Sequence, residues 1–212
     1  EDLLPAIGKI CPDPTLDAHV HSIRRQRFLR DALSKHNLIA FIENGSILPR
    51  ADGVSQYPMK DAVAFQAPSG TDIAIDTPWG VVHGWGIRPG VTLIVGGGYH
   101  GKSTVLHALS RGHLDHIPGD GREGVVTRPS TVKLRAEEGR HVTGVDVSPF
   151  LNTLPGGQST RYFCTQDASG STSQAAAIIE SIEAGARTLL MDEDTCATNL
   201  LVRDHHMRAL IP

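Results

Sequence analysis

Residues 96–103 have the types and spacing needed to hold a polyphosphate. They read Gly96-Gly97-Gly98-Tyr99-His100-Gly101-Lys102-Ser103, which fits G-x-x-x-x-G-K-[ST]. Glycines in such a loop let backbone N–H groups point at phosphate oxygens, while the lysine adds a cation and the hydroxyl binds Mg²⁺. The pattern predicts that these residues and Thr104 bind ATP or ADP, with Lys102 also catalytic. The alternative is a glycine-rich turn with a surface lysine.

A pair of carboxylates follows an apolar run near the end of the chain, in Leu189-Leu190-Met191-Asp192-Glu193. A strand beside the strand of the phosphate loop would bring Asp192 to the Mg²⁺ that Ser103 also binds. Glu193 would then orient or deprotonate the attacking water. The alternative is a strand that ends in a solvated acidic loop.

A third segment, Ala-Ser-Gly-Ser-Thr-Ser-Gln at residues 168–174, directly precedes a predicted helix. Hydroxyls and a glycine at a helix N-terminus form a second place where an anion can bind. The alternative is an ordinary helix cap.

Residues 168–174 resemble the ABC-ATPase signature Leu-Ser-Gly-Gly-Gln, and residues 192–199 resemble Asp-Glu-Pro-Thr-Ser-Ala-Leu-Asp. Ser169 precedes Asp192 by 23 residues (192 − 169), the separation expected between these two motifs. With residues 96–104 and 116–123, they make the chain similar to the family of predicted ATPases of the ABC class, over roughly residues 38–212. This family includes bacterial proteins and an RNA-binding ATPase accessory to RNA editing in kinetoplastid mitochondria.

The resemblance implies a mechanism and partners. Glu193 corresponds to the catalytic glutamate, and Ser169, Gly170 and Ser171 would cap the ATP held by a second protomer in a head-to-tail homodimer. Single-stranded RNA is implied as a partner. The implied compartment is the mitochondrial matrix, or the cytoplasm if the RNA-editing link does not hold. Ser171 and Thr172 stand where transporters have Gly and Gln, and His205 and His206 follow Asp192 too closely to be a switch histidine.

The predicted fold class is α/β: a P-loop NTPase, ABC-ATPase-like core with a smaller N-terminal β-rich α+β subdomain. We expect a partly helical segment over 1–36, the β-rich subdomain over 37–88 and the ATPase core over 89–212. Val91–Val95 is predicted to be a buried strand leading into the phosphate loop. Helices are predicted at Asp17–Leu33, Lys102–Ser110 and Ser171–Ala186, the last from its apolar stripe. Further strands are predicted at Leu38–Ile42, Ser46–Leu48, Val63–Phe65, Asp72–Ile75, Val81–His83, Gly124–Thr127, Thr131–Arg135, His141–Val147 and Thr188–Met191.

Other side chains have both a functional and a structural interpretation. Trp79 is a candidate to stack on adenine or a plain core residue, and Arg122 is a phosphate ligand or part of a turn. The scatter of His107, His113 and His116 lacks the ligand pattern of a metal site. The best candidate for a surface that binds single-stranded RNA is a helical segment with Arg24, Arg25, Arg27, Phe28 and Arg30. The alternative is that this segment is only a solvated helix face.

The composition of the chain excludes several classes of protein. A net charge of −3 excludes a strongly basic nucleic-acid binder, and three scattered cysteines exclude a disulfide framework. No apolar run is long enough for a membrane span, so no membrane partner is expected. Because the chain starts at Glu1 and stops at Pro212, we expect a piece of a longer protein. A non-hydrolysing nucleotide switch, a transporter ATPase subunit and a small-molecule kinase remain alternatives to an RNA-coupled ATPase.

Overall fold

A long helix followed by a small antiparallel sheet begins the part of the chain that the computed structural model describes, residues 14–201. His205 and His206, which follow Asp192 too closely in sequence to be a switch histidine, lie outside these residues. The chain divides into two compact units, Glu1–Pro129 and Ser130–Pro212, called unit one and unit two below.

Within its described residues, 14–129, unit one has two helices and four strands. They are α1 (Pro14–Lys35), β1 (Ala40–Glu43), β2 (Asp72–Thr77), β3 (Gly80–Ile87), α2 (Lys102–Arg111) and β4 (Val125–Thr127). The strands form one sheet in the order β2-β3-β1-β4, with every neighbouring pair antiparallel. One apolar face of α1 covers this sheet, because Leu29 and Leu33 are fully buried in the same cluster as Phe41, Ile75 and Val126.

The hairpin of β2 and β3 is closed by Pro78 and Trp79, with Thr77 opposite Gly80. Gly80 has a φ of 120°, a backbone conformation that glycine adopts without strain. Gly84 is required for a different reason. A Cβ there would lie 2.2 Å from the carbonyl oxygen of Ile42, so β1 and β3 approach each other only because that side chain is absent.

The predicted helices and most predicted strands of unit one are confirmed, with end points shifted by a few residues. Residues 46–48 and 63–65 are not strands. A hydrogen bond from the N–H of Phe65 to the carbonyl of Ser46 joins them instead.

The prediction of a buried strand at Val91–Val95 is wrong for this structure. The segment has no regular secondary structure and no strand partner among residues 14–201, and Val91, Leu93 and Val95 are 93%, 79% and 84% exposed. An apolar run becomes a buried strand only when a neighbouring strand satisfies its backbone and a layer covers its side chains. Neither is present around these residues in the described part of unit one, residues 14–129.

Over residues 130–201, the part of unit two that the structure describes, there are four strands and two helices. They are β5 (Thr131–Lys133), β6 (Val142–Val145), β7 (Phe163–Thr165), α3 (Gly170–Glu183), β8 (Thr188–Leu190) and α4 (Thr198–Leu201), with a 3₁₀ turn at Pro155–Gly157. The strands β6 and β7 form an antiparallel pair. Its core packs Val142, Val147 and Phe163 against Ala175 and Ala176 of α3.

The strands β5 and β8 are parallel, with Val132 opposite Leu189. A parallel pair requires a crossover connection, and α3 lies within that connection. The predicted α/β character is therefore confirmed. Both strands end at the same edge of the pair, and β8 ends just before Asp192. Sequence patterning missed β7, whose three residues are too few for a period to emerge.

Candidate functional site

The phosphate-loop segment of unit one ends in a left-handed turn that starts a helix. Tyr99 and Gly101 have φ angles of 62° and 88°, and Gly101 is the residue before the first turn of α2. No side chain caps this helix end. The first backbone N–H groups of a helix lack intrahelical partners and carry partial positive charge, so this end can accept an anion.

The ammonium of Lys102 folds back over the loop. Its Nζ donates hydrogen bonds to the carbonyls of Gly96 and Gly97 at 2.9 and 3.1 Å. The N–H of Gly97 donates to Nδ1 of His100 at 3.2 Å. The lysine therefore lies over the loop that precedes its helix.

Space for phosphate oxygens is available along the same loop. A Cβ built on Gly98 or Gly101 would meet no atom within 4 Å, and Ser103 is exposed. An open glycine loop, an uncapped helix end, a cation and a hydroxyl together match the groups of a triphosphate with Mg²⁺. Within residues 14–201 no group of three or more His, Cys, Asp or Glu side chains is arranged to hold a metal. Magnesium bound mainly through phosphates needs only one or two protein oxygens.

The acidic pair belongs to unit two. The strand β8 ends at Leu190, Asp192 is buried, and Glu193 is exposed. One carboxylate oxygen of Asp192 lies 3.9 Å from Nζ of Lys133, and its carbonyl accepts a hydrogen bond from the N–H of Thr195 at 3.0 Å. The lysine offsets part of the cost of burying the Asp192 charge.

Ser169 caps the predicted signature helix. Its side-chain oxygen accepts from the N–H of Thr172 at 3.4 Å, and Gly170 begins α3. The carboxylate of Glu138 lies where a Cβ on Gly170 would come within 3.2 Å of it. The Ser171 hydroxyl donates to Oδ1 of Asn199 at 2.9 Å. The capping interpretation of Ser169 is thus confirmed, and a role in binding nucleotide stays a prediction.

The predicted site residues fall into these two groups. Unit one contains residues 96–104 and unit two contains Ser169, Gly170, Ser171, Asp192 and Glu193. Sequence reasoning missed Lys133 as the partner of Asp192. The available signal was Lys133 itself, a lone cation in an apolar strand. A parallel crossover connects this strand to β8, which leads into the acidic loop.

Arg122 is part of a buried polar cluster and is not exposed to bind phosphate. Its Nε and Nη2 donate to the carbonyl of Leu48 at 2.9 and 2.5 Å, and its Nη1 lies 3.1 Å from Nδ1 of His107. Burial, with the positive charge of Arg50, lowers the pKa of Arg122 to about 10. The structure therefore favours the structural interpretation of Arg122.

Asp120 balances this cluster electrically. It pairs with Arg50 at 2.8 Å and with His116. Burial raises the pKa of Asp120, but His116, Arg50 and Arg122 together outweigh burial and hold that pKa below its ordinary value. Two of the three scattered histidines, His107 and His116, thus contact charged side chains of the protein.

The arginine-rich helix is largely engaged in ion pairs. Arg25 pairs with Glu43 at 2.5 Å, and both line a cavity of about 460 Å³ in unit one. Arg27 and Arg30 both pair with Asp115, at 3.4 and 3.0 Å. The Arg27 side chain is nevertheless 67% exposed. The helix thus presents less unpaired positive charge than its sequence indicates.

Trp79 lies at the tip of the β2–β3 hairpin and is 43% exposed. Its ring makes edge contacts with His21 and Phe28 of α1, at centroid distances of 5.2 and 6.0 Å. Trp85 stacks on Phe65 at 6.4 Å. Trp79 therefore extends the exposed face of α1 with an aromatic surface.

None of the helices within residues 14–201 has the length and apolar character to cross a membrane. In sequence, the chain is 34% identical over 211 aligned residues to an uncharacterized protein of Methanocaldococcus jannaschii. The match covers 95% of this chain and 47% of that relative, so the chain spans about half of the relative's length. The P-loop domain of the ABC_ATPase family matches residues 12–212. With its α/β fold, the chain is therefore a member of the ABC_ATPase family and carries that family's P-loop domain.

Proposed function

We propose that this chain hydrolyses ATP, with residues 96–104 binding the phosphates. The observation that carries the proposal is the uncapped N-terminus of α2, where the ammonium of Lys102 lies over glycine-loop carbonyls at 2.9 and 3.1 Å. Phosphate oxygens are stronger acceptors for an ammonium than neutral carbonyls. Bound ATP would therefore draw Lys102 from the loop to its own phosphates.

The remaining roles follow from the chemistry of the side chains. Mg²⁺, when bound, neutralises the charge that develops on the transferred phosphoryl group. Ser103 and Asp192 each carry an oxygen of the kind that suits this ion. Glu193 is exposed, so its carboxylate is accessible to a water molecule, whose proton it would accept during attack on the γ-phosphate. The products are ADP and inorganic phosphate.

Phosphate release over many turnovers tests this proposal with Glu193→Gln. General-base catalysis contributes about 10²- to 10⁴-fold, so the turnover rate should fall by that factor while ATP binding is retained. Glu183→Gln is the matched control, because Glu183 is also an exposed glutamate of unit two. Turnover that is absent in the wild type would identify a non-hydrolysing nucleotide switch. Turnover unchanged in Glu193→Gln would overturn the role of that residue.

The signature segment has a proposed role in a homodimer, where Ser169, Gly170 and Ser171 cap the nucleotide of the partner. The support is the first turn of a 14-residue helix, where Ser169 is exposed and its hydroxyl lies 3.0 Å from that of Thr172. Sedimentation of the Glu193→Gln chain in saturating Mg-ATP is the test. We expect a dimer, and a monomer under these conditions would rule out the sandwich arrangement.

Coupling to single-stranded RNA is the most specific part of the proposal. Its support is that α1 carries an exposed cation, Arg27, and that His21 of the same helix contacts the half-exposed ring of Trp79. Single-stranded RNA should therefore change the ATP turnover rate saturably. Indifference to RNA would leave the ATPase in place and remove this partner.

The RNA surface is located by Arg27→Gln with Arg88→Gln as control, since both are exposed arginines of unit one. Losing one phosphate contact should reduce the salt dependence of RNA binding by about 0.7 in the slope of log K against log salt. An equal effect of both variants would mean that the helix is not the RNA surface.

A further inference from the structure

Two side chains near the start of α3 hold the segment that follows the acidic pair. The hydroxyl of Ser171 donates to Oδ1 of Asn199 at 2.9 Å. The backbone N–H of Ala197 donates to Oε1 of Gln174 at 2.5 Å. Because Ser171 and Gln174 are three residues apart, they lie on one face of the helix. Both bonds therefore join the same helix face to residues 197–199.

Gln174 is an unusual residue for its surroundings. It is fully buried, and its Nε2 has no hydrogen-bond partner in the part of the chain that the structure describes. An unsatisfied buried donor costs free energy, which an apolar side chain of similar length would avoid. Such a side chain would leave the N–H of Ala197 without its acceptor. The amide oxygen of Gln174 thus accepts a hydrogen bond from the loop, while its buried amide nitrogen lowers the stability of the fold.

The loop is also held on the side of β5. The N–H of Ala136 donates to the carbonyl of Thr195 at 2.8 Å, and the N–H of Thr195 closes a turn onto the carbonyl of Asp192 at 3.0 Å. Leu200 packs against the core of unit two. Residues 192–200 are therefore held at Thr195 by hydrogen bonds and at Leu200 by packing. Glu193 lies within the turn that Thr195 closes onto Asp192.

We propose that Gln174 and Asn199 are positioning residues for Glu193. They attach the loop of residues 192–199 to the first two turns of α3, so that the signature turn at Ser169–Ser171 and the carboxylate of Glu193 move together. Neither residue needs to touch nucleotide. This inference rests on the proposed ATPase function, in which Glu193 activates water.

The attachment itself is tested without any activity, by amide hydrogen exchange of the full chain. In the wild type the N–H of Ala197 should be protected, and Gln174→Met should reduce its protection about tenfold or more, because the variant removes the acceptor. Gln174→Glu keeps an acceptor oxygen and should retain the protection. Equal protection of Ala197 in Gln174→Met and the wild type would overturn the attachment.

Steady-state kinetics test its role in hydrolysis. Gln174→Met and Asn199→Leu should each lower kcat about two- to tenfold, the worth of one hydrogen bond, with KM for ATP unchanged. Asn199→Asp retains the acceptor for Ser171 and should recover most of the rate. Gln158→Met, at an exposed glutamine of the same unit, is the control.

A double variant separates positioning from general loss of structure. Ser171→Ala and Asn199→Leu break the same bond, so the double variant should be no slower than the slower single variant. Additive losses, or a rise in KM equal to the fall in kcat, would contradict the proposal. No turnover by the wild type would refute the proposed function and this role with it. Normal kcat in Gln174→Met alongside an active wild type would refute this role alone.

Discussion

The two groups of candidate site residues differ in how much of the protein holds them. In unit one, the segment before the phosphate loop is irregular and largely exposed, and the ammonium of Lys102 contacts the loop's own carbonyls. In unit two, the acidic loop is tied by hydrogen bonds to both α3 and the end of β5. One group is open and the other is preorganised by side chains.

This difference indicates which partner each group needs. A glycine loop offers backbone N–H groups, and an anion is what completes their hydrogen bonding. A buried carboxylate such as Asp192 needs a cation, which Lys133 supplies at 3.9 Å. We therefore expect nucleotide to order the phosphate loop far more than the acidic loop.

The largest expected effect contrasts exposed and buried leucines of unit one. Leu109→Ala should lower the free energy of unfolding by about 2–5 kcal/mol, because Leu109 is 2% exposed. Leu93→Ala should change it by less than about 0.5 kcal/mol, because Leu93 is largely exposed. Urea unfolding followed by tryptophan fluorescence is the measurement, since both tryptophans lie in unit one. A large loss in Leu93→Ala would show that the segment is packed.

The next effect concerns the phosphate loop itself. Lys102→Ala removes a charge-assisted bond to phosphate and should weaken Mg-ATP binding about 10- to 100-fold in a calorimetric titration. Lys60→Ala, at an exposed lysine of the same unit, is the control and should bind normally. If Lys102→Ala also bound ATP with wild-type affinity, the open loop would not be the phosphate site.

Nearly all of residues 102–111 and 171–183 could be predicted as helices from the sequence, since their apolar spacing and lack of proline are local properties. The strand β8 and its acidic end followed from the same local pattern. The exposure of Val91, Leu93 and Val95 could not be predicted, because burial depends on which neighbours are present.

The site was predictable to a similar extent. A motif identifies Lys102 and Ser103 because its residues are adjacent in sequence. The bonds of Ser171 to Asn199 and of Arg122 to Leu48 join residues 28 and 74 positions apart. Such contacts carry no sequence pattern, which is why the arginine in the polar loop read equally as a phosphate ligand and as part of a turn.

The smallest expected effect is a change in how the unfolding free energy of unit one depends on pH. Because the pKa of Asp120 is held below its ordinary value, its carboxylate stabilises the fold above about pH 4, and this stability is lost as the pH falls through the lowered pKa. Asp120→Asn lacks this contribution, so its unfolding free energy should fall less steeply on acidification. Urea unfolding at pH 6 and pH 3 checks this. Equal slopes for both proteins would place Asp120 outside the charge cluster.

The most direct test of the central claim is the release of inorganic phosphate by the wild-type chain in excess Mg-ATP, beside Lys102→Ala at the same ATP concentration. An ATPase that uses the open loop predicts many equivalents of phosphate per chain in the wild type, with saturation in ATP, and a much slower rate in the variant. Release that is absent from the wild type, or equal in the two proteins, would contradict it.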